Sequence, residues 1–535
     1  MEPPARWAVG VLVLSAVGAS GRAGSPAAAT RPAVGITVSR QTTFLTGPLN
    51  ADGTVNYSRA LDDICGKGVT RQNNAAIDFV RILGPKFLEE KHRRQRLAAL
   101  GLPPDLPDPN VSLSLPEPLR EWFAALPTGA DLARPPAGAV QWCRSKAAVL
   151  DALAAAAKKE HLFVPAAAAT DSPPLSEDIV RIAYRELMAA QRALLVRAVV
   201  RAVDGDPNGA SGDLLAAYRI ARLVSRGPFL TDCLLAHGVE GLASGQVLAL
   251  VKAGLASPQF ARGQLEAPSK LPPLNGPEHC VLGERLLALD FATAIVRDGP
   301  DKATRMFATD PNEPPLPRME LDADELLRLE NAEADRQASC YAKGRFSLQV
   351  DAFRRSAPVL SPLAKRICRE VPGLLDMRRR LRLLAREGKS LTAKERARAL
   401  HELLGAPDTA ATILSLTTRT RAMQRLSQVA LALVVYRDRH RQYPRELGQL
   451  APAILAAVPT DPFTDGQFVY KASSNGYTLY SLGPNMRDDN GQGACGGAGK
   501  DDIAVETLTG KLADEHRVSN RGGGVGRALL SGVGK

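Results

Sequence analysis

Histidine and cysteine, the residues best suited to nucleophilic or metal chemistry, are thinly spread along this sequence. The chain has seven of each in 535 residues. None of the spacings Cys-x-x-Cys, His-Glu-x-x-His or Gly-x-Ser-x-Gly occurs, so zinc-ribbon, thioredoxin-like, zincin and α/β-hydrolase sites have no support. Glu278-His279-Cys280 is the closest grouping, but three consecutive residues on a helix cannot all face one site. The sequence therefore predicts no site built on histidine or cysteine, and it leaves any disulfide pairing open.

Two glycine-lysine pairs look like fragments of a phosphate-binding loop, and both depart from the motif. Gly388-Lys389-Ser390 has Leu383 where the first glycine of the loop belongs, and no strand is predicted before it. Gly499-Lys500 has Ala494 at that position and Asp501 after the lysine. Since the backbone N–H groups of a glycine-rich loop cradle the phosphates, we expect neither segment to bind a nucleotide.

Paired carboxylates offer a third kind of chemistry, the acid–base hydrolysis of polymers. Asp62 with Asp63 and Asp322 with Asp324 are pairs of this kind, and two carboxyl groups with different roles suffice for a glycosidase. Neighbouring positions on a helix point in different directions, however, so such pairs are usually solvated. An envelope hydrolase with a carboxylate site stays open as an alternative function, with no catalytic residue assigned.

The elements that position any site are predicted to be mainly α-helices. The sequence is 45% hydrophobic but only 5% aromatic, which favours an aliphatic, alanine-rich helical core. Apolar residues recur at three- and four-residue spacing over 176–203, and a turn at 204–209 leads to further helices at 210–225 and 229–254. Consecutive helices with short connections predict a multi-helix αα-hairpin body with a tetratricopeptide-like turn, although no regular repeat period is present.

Proline-rich stretches divide the chain, because proline removes a backbone donor and restricts the residue before it. They predict an N-terminal helical segment with a proline-rich linker at 25–165, a helical body at 176–405, an α+β unit at 407–515 and a flexible basic tail at 516–535. A short β-like run is expected at 36–48. Further helices are predicted at 55–67, 73–83, 86–100, 278–296, 322–353, 361–387 with a break at Pro372-Gly373, and 392–404 behind a Thr392/Glu395 capping box.

The first 24 residues are predicted to be a signal peptide. Arg6 precedes an apolar run from Trp7 to Val17, which has the length of a signal-peptide core and is too short to span a bilayer. No later segment offers the uninterrupted apolar length of a membrane span. We therefore expect an exported protein of the periplasm or cell envelope, without a transmembrane segment in the mature chain.

The formal net charge is +12, which raises the question of an anionic partner. Dense basic runs are confined to Lys91–Arg96 and Arg378–Arg382, and few aromatic residues lie near them to stack on bases. A nucleic-acid partner is therefore not expected, and the pattern favours a solvated, arginine-rich surface. A surface protein that binds a polymer in a salt-sensitive manner is a further alternative.

The C-terminal part of the chain changes from helices to a mixture of helix and strand. A single long helix is predicted over 410–440, ended by Tyr443-Pro444. Phe468–Ala472 and Tyr477–Leu482 alternate in the manner of strands around a Ser-Ser-Asn-Gly turn, which predicts an antiparallel hairpin. Ile503-Ala504-Val505 is expected to form a last short strand.

This ordered series resembles the globular part of the type II secretion major (G-type) pseudopilin family. The matching elements are the long helix through Tyr443-Pro444, the Val-Pro-x-Asp-Pro-Phe segment Val458–Phe463, the aromatic hairpin, the stretch Tyr480–Asn485, and the acidic residues around Asp488, Asp489, Asp501 and Asp502. The resemblance covers about 100 residues at the C-terminal end, and the ordered series of motifs is fairly specific.

The resemblance implies a calcium site in the closing loop, because members of that family bind calcium there. Calcium takes six to eight oxygen ligands from carboxylates, amides and backbone carbonyls. Leu482, Asn485 and Arg487 could supply carbonyls, and Asp488, Asn490, Asp501 and Asp502 could supply side chains. The spacing is not that of an EF-hand, and the insertion Gly491–Lys500, which contains Cys495, leaves the ligand set open. The alternative is a solvated polar turn.

The rest of the chain departs from a pseudopilin. No prepilin peptidase site is present, and about 400 residues precede the resembling unit, so a filament subunit is not expected. The body resembles uncharacterised exported helical proteins of bacteria, through the segments 42–86 and 212–230. The sequence therefore predicts a non-enzymatic exported scaffold or binding protein, with a protein or cell-envelope polymer as its partner and a pseudopilin-like, calcium-binding head.

Overall fold

A computed structural model of the chain describes residues 35–125, 135–166, 175, 178–308, 310, 312–372, 376–405, 409–473, 476–493 and 500–507. The predicted signal peptide at 1–24, the predicted tail at 516–535 and Cys495 lie outside these residues. Over these described residues the structure is 58% helix, with 18 α-helices and a small three-stranded sheet near the C-terminal end. This confirms the prediction of a mainly helical protein.

The first helices are short because proline and glycine interrupt them. They are α1 (Tyr57–Cys65), α2 (Ala75–Leu83), α3 (Arg93–Ala99), α4 (Glu117–Ala125), α5 (Ala139–Ser145) and α6 (Ala147–Ala156). The predicted helix at 86–100 is wrong in its first half: Pro85–Phe87 forms a 3₁₀ turn, and His92 adopts a left-handed conformation with φ 64°. No strand forms at 36–48, since those residues make turns.

The central helices follow one another with short connections, as predicted. They are α7 (Tyr184–Val203), α8 (Pro207–Val224), α9 (Leu230–Lys252), α10 (Pro258–Ser269), α11 (Pro277–Asp298) and α12 (Pro300–Ala303). Asp206 caps α8 by accepting from the Gly209 N–H at 2.8 Å, and Pro207 occupies the first helical position. The predicted start of α7 near residue 176 is wrong, because Asp178 is drawn into a buried ion pair with Arg96.

Five more helices lead to the C-terminal unit: α13 (Ala323–Tyr341), α14 (Phe346–Arg355), α15 (Pro362–Glu370), α16 (Met377–Glu387) and α17 (Ala393–Leu404). The sequence predicts one helix at 322–353, but Gly344 at φ 76° divides it into α13 and α14. The capping box of Thr392 and Glu395 is confirmed, since each side chain accepts from the other residue's backbone N–H.

The long C-terminal helix α18 (Thr409–His440) is followed by β1 (Val469–Ala472), β2 (Tyr477–Ser481) and β3 (Ile503–Thr507). The sheet has the order β1-β2-β3 with both pairs antiparallel. Val469 lies opposite Tyr480, and Ser481 lies opposite Ile503. The predicted hairpin and the predicted last strand are therefore confirmed.

The apolar core consists of three clusters of buried side chains. One cluster joins α7–α10 to α18 and the sheet, through residues such as Leu250, Leu433 and Leu479, each 0% exposed. A second joins α2 and α6 to α7 and α8. The third joins α1 and α11 to α13 and α15–α17. Helix α18 and the sheet thus share a hydrophobic core with the helical body.

Among the described helices, α9 is long enough and apolar enough to cross a membrane. In this structure it packs between α8 and α18, and 56% of its apolar window is buried. It also carries Glu240, which is 0% exposed and paired with Arg222 of α8. A buried core helix meets the same length and composition criteria as a membrane span.

Several arginines of the basic runs are buried rather than solvated, which corrects part of the prediction from charge. Arg96 pairs with Asp178, and Arg378 pairs with Asp301 and Glu313. Arg380 donates to the backbone carbonyls of Val371, Pro372 and Leu403. A guanidinium carries five N–H donors in a rigid fork, so it can hold together loops and helix ends that lack other partners.

Candidate metal centre

The acidic loop, residues 482–493 and 500–502, leaves the end of β2 and returns to β3. Its first residues are fixed by Asp461, which is 0% exposed. One carboxylate oxygen accepts from the Ser481 hydroxyl and the Phe463 N–H, both at 3.0 Å, and the other accepts from the Leu482 N–H at 3.0 Å. The aspartate of the Val-Pro-x-Asp-Pro-Phe segment therefore positions the start of the loop.

Gly483 brings the two arms of the acidic loop together. Its φ is 63°, in the left-handed region, and a Cβ there would lie 2.3 Å from the carbonyl oxygen and 2.7 Å from Oδ1 of Asp501. No real side chain approaches a backbone atom so closely, so only glycine allows this contact. The close approach places Asp501 and Asp502 against the first arm of the loop.

Three carboxylates converge where the arms meet. Asp489, Asp501 and Asp502 each present one oxygen, and these oxygens all lie within 4.8 Å of one another. Asp502 is only 2% exposed. Its Oδ2 accepts from the N–H groups of Asp489 at 3.0 Å and Gly491 at 2.8 Å, whereas its Oδ1 is buried with no hydrogen-bond partner among the described residues.

The other two carboxylates are held in the same manner, each through one oxygen. Asp501 accepts from the Asn485 N–H through Oδ2 at 3.1 Å, and within the described part of the chain its buried Oδ1 has no partner. Asp489 accepts from the Asn485 side-chain amide at 2.9 Å and the Asp501 N–H at 3.3 Å, both through Oδ2. Backbone and amide donors thus fix the carboxylates while two buried oxygens stay unsatisfied.

The electrostatics of the cluster disfavour three bare negative charges. Burial raises the pKa of Asp501, and the charges of Asp489 and Asp502 raise it further, whereas the Asn485 hydrogen bond and the positive charge of Arg419 lower it. Burial also raises the pKa of Asp502, against the lowering effect of its two backbone hydrogen bonds. A nearby cation would relieve this repulsion.

The structure separates the residues that the sequence singles out for calcium. It brings Asp501 and Asp502 together, and adds Asp489. Asp488 is exposed and turns away: its carboxylate accepts from the Tyr480 hydroxyl at 2.9 Å and the Asn490 N–H at 2.8 Å, and these bonds lower its pKa.

The remaining expected ligands serve the loop itself. Asn490 is exposed, with φ 59°. The side-chain oxygen of Asn485 accepts from the Arg487 N–H at 2.7 Å, so it closes a local turn. Leu482 holds Asp461 through its N–H. The sequence pattern does not distinguish Asp489 from its neighbour Asp488, because only the fold of the loop decides which carboxylate turns inward.

The donor set fits a hard divalent cation. Carboxylate oxygens and backbone carbonyls are the ligands of calcium and magnesium, whereas a soft metal would want sulfur or imidazole. Asp489, Asp501 and Asp502 are the residues that would hold the ion. The two unsatisfied oxygens, on Asp501 and Asp502, are available to it without breaking any hydrogen bond described above.

The carboxylate pairs considered for hydrolysis have structural partners. Asp62 accepts from the Ala166 N–H and pairs with Arg181, each at 2.6 Å. Asp322 caps α13 through the Glu325 N–H, and Asp324 accepts from the Thr37 N–H at 2.9 Å. The second acid near Asp62 is Asp178, which shares Arg181 with it at 3.1 Å, so both carboxylates face a guanidinium rather than acting as a free acid and base.

Two surface cavities of about 430 Å³ each lie away from these pairs. One is lined by Arg262 and Asp438, which form an ion pair at 2.8 Å. The other is lined by Asp78 and Lys159, which pair at 2.5 Å. In both cavities the acidic group is matched by a cation, so neither offers the free acid and base that hydrolysis needs.

No protein-family model, curated protein or solved structure matches this chain.

Proposed function

We propose that this protein is an exported, non-enzymatic helical scaffold or binding protein of the cell envelope whose C-terminal unit binds calcium. The observation that carries the proposal is the unpartnered Oδ1 of Asp502. This oxygen lies on a side chain that is 2% exposed, beside two further carboxylates. Its partner in the envelope would be a protein or a polymer.

Burial energetics favour a bound cation over a solvated polar turn. A buried polar atom without a partner costs about 1–3 kcal/mol, and more when it carries charge. A turn that only faced water would not need to bury Asp502 or bring three carboxylates together. A divalent cation would satisfy both unpartnered oxygens and remove the repulsion between the carboxylates.

The order of the elements supports a pseudopilin-like C-terminal unit. A long helix, α18, is followed by an antiparallel sheet, and the acidic loop lies between the last two strands. The helical body supports a scaffold, since α7, α8 and α9 follow one another with short turns and pack as neighbours. Stacked helix pairs of this kind occur in tetratricopeptide-like proteins, which bind partners on a helical surface.

A calcium titration of the full chain tests the proposal. Binding to the folded state alone raises the free energy of unfolding by about 2.7 kcal/mol at a concentration 100 times the Kd. We therefore expect calcium to raise the Tm of the wild type, and calorimetry to give one bound ion. The Asp502→Asn variant should lose both effects.

Asp488→Asn is the matched control, because it removes the neighbouring acidic charge from the same loop without touching the three converging carboxylates. It should keep the calcium-dependent rise in Tm. A wild type that shows no rise in Tm and no heat of binding would overturn the proposal. Equal losses in Asp488→Asn and Asp502→Asn would also overturn it, because the effect would then be unspecific screening.

A further inference from the structure

The first turns of α9 and α11 place two cysteines close together around the backbone carbonyl of Phe229. Cys233 lies in the first turn of α9 and Cys280 in the first turn of α11, and both are 0% exposed. The carbonyl oxygen of Phe229 accepts from the Cys233 N–H at 3.1 Å and lies 3.2 Å from the Cys280 thiol, so the two cysteines meet at one backbone group. Both are free cysteines in the structure. The sequence offers no hint of this pairing, because 46 other residues separate the two in the chain.

The backbone around the two thiols is built for close contact. The Cys280 thiol lies 3.2 Å from the carbonyl oxygen of Phe229, the residue that precedes α9. One turn after Cys280, a Cβ on Gly283 would lie 2.1 Å from the carbonyl oxygen of Pro228. Glycine at this position therefore lets α11 pack directly on the chain that enters α9, and this packing brings the two cysteines near each other.

A histidine lies one helical turn from Cys233 on the same face of α9. Its Nε2 is 3.0 Å from the backbone carbonyl oxygen of Asn275, which can only accept, so Nε2 carries a proton. The other ring nitrogen of His237, Nδ1, is buried and has no well-aligned donor among the described residues. In the neutral ring this nitrogen is a free base, and His237 is a neighbour of the Cys233 thiol.

The surroundings of the two thiols shift their pKa values in opposite directions. The hydrogen bond from Cys280 lowers the pKa of Cys233, and His237 lowers it further against the opposing effect of burial. The bond to Cys233 raises the pKa of Cys280, as do burial and the carboxylates of Glu284 and Asp232. Cys233 is therefore the better nucleophile of the pair.

We propose that Cys233 and Cys280 form a redox-active pair that closes to a disulfide, linking the first turns of α9 and α11, on reaction with a disulfide oxidant. The Cys233 thiol gives its proton to Nδ1 of His237, and its sulfur attacks one sulfur of the oxidant and expels a thiolate. The Cys280 sulfur then loses its proton, attacks Sγ of Cys233 and expels the second thiolate.

The exchange balances without any further reactant. The two protons and two electrons lost by the cysteines reduce the oxidant R–S–S–R to two R–SH molecules. Because neither sulfur is exposed, the oxidant reaches Cys233 when the start of α9 opens locally. Once closed, the disulfide is shielded from reductant by the same burial. This proposal is independent of the calcium site and of the compartment.

Peptide mapping of the wild type tests the proposal without any substitution. The folded full chain is equilibrated with oxidised and reduced glutathione, quenched in acid, alkylated and digested. We expect a linked peptide that joins Cys233 to Cys280, while Cys143, a buried thiol elsewhere in the core, stays alkylated. If the linked peptide is absent, or if Cys143 pairs as often as these two, the proposal is wrong.

Single variants test the order of attack. Cys280→Ser should accumulate glutathione on Cys233, whereas Cys233→Ser should leave Cys280 unmodified. His237→Gln should slow closure by about tenfold or more, since a general base is lost. Cys340→Ser removes a buried thiol outside the pair, which lies 3.4 Å from the Ser356 hydroxyl, and should behave like the wild type. Equal modification of Cys233 and Cys280 in the two single variants would overturn the assignment.

Discussion

Buried acidic side chains in this protein differ in whether a guanidinium faces them. Asp213 of α8 is 2% exposed, and Arg197 binds both of its oxygens, at 2.6 and 2.9 Å. Arg201 adds a third bond at 2.9 Å. Asp501 and Asp502 have only N–H donors from the backbone, and one oxygen on each is left over. Asp213 therefore stabilises the fold through its ion pairs, whereas Asp501 and Asp502 repel each other, and a bound cation would relieve that repulsion.

Asp213→Ala should destabilise the fold by about 3–5 kcal/mol, because it leaves the charge of Arg197 buried without its main partner. Chemical denaturation of the full chain measures this change. Asp151 also pairs with Arg197, at 2.8 Å, but its side chain is 65% exposed. Asp151→Ala is the matched control and should cost less than about 1 kcal/mol. Similar losses of stability in both variants would show that burial does not determine how much an ion pair with Arg197 stabilises the fold.

The raised pKa values of Asp501 and Asp502 predict that stability depends on pH, and that the dependence has opposite signs in the absence and presence of calcium. Without calcium, the native state takes up protons at a higher pH than the unfolded chain. The contribution of these groups to stability therefore rises as pH falls through their raised pKa values toward the ordinary value of 3.8. With calcium, protons compete with the ion, so the rise in Tm due to calcium shrinks over the same range.

Thermal unfolding with and without calcium, at several pH values, gives both slopes. Asp502→Asn should flatten the calcium-free slope and should stabilise the calcium-free protein slightly, because it removes a buried charge. A variant less stable than the wild type without calcium would indicate that Asp502 is a structural residue rather than a ligand.

At the scale of the elements, the acidic loop depends on one backbone contact. Gly483→Ala should strain a left-handed residue and push Asp501 away, at a cost of about 1–3 kcal/mol. It should also weaken calcium binding, although it removes no ligand. Gly448→Ala is the control, since a Cβ there meets nothing within 4 Å. Calorimetric titration of both variants measures the effect, and unchanged affinity in Gly483→Ala would show that this contact does not shape the site.

Element boundaries show which parts of the fold the sequence could predict. Long periodic helices, the Thr392/Glu395 cap and the aromatic hairpin depend on local patterns, and the structure has them. The start of α7 depends instead on contacts with distant residues. Asp178 is one example, since it leaves the helical pattern to meet Arg96, which is 82 positions away.

The sequence predicts the acidic loop in part but gives no sign of the Cys233–Cys280 pair, because the first is local in the chain and the second is not. The acidic loop is local in the chain, so its aspartates stand out in the sequence, although only the folded loop distinguishes Asp489 from Asp488. The Cys233–Cys280 pair forms between two helices, so the sequence shows two isolated thiols. Tertiary packing decides such pairs, and spacing alone carries no signal of it.

For the whole molecule, the shared core of α18 and the body determines how the protein unfolds. The cluster that contains Leu250 of α9, Leu433 of α18 and Leu479 of β2 has no break between the body and the C-terminal unit. We therefore expect body and C-terminal unit to unfold in one transition. Leu433→Ala should cost about 2–5 kcal/mol and lower the Tm as a whole.

Differential scanning calorimetry checks this prediction, with hydrogen exchange of the backbone amides to follow the body and the sheet separately. Leu348→Ala serves as the control, because Leu348 is 46% exposed and lies outside the cluster. Two transitions in the wild type, with Leu433→Ala affecting only one of them, would show that the C-terminal unit folds on its own.

Consecutive residues of α18 face the two proposed sites. Arg419 acts on Asp501 of the acidic loop through its charge, and the Thr420 hydroxyl donates to the backbone carbonyl of His237 at 3.2 Å. A shift of α18 on forming the proposed disulfide would therefore reach the carboxylates of the acidic loop. Thermodynamic reciprocity then applies: the factor by which oxidation changes the calcium Kd equals the factor by which calcium changes the thiol–disulfide equilibrium. Through α18, the protein would respond to both the calcium concentration and the redox potential of its surroundings.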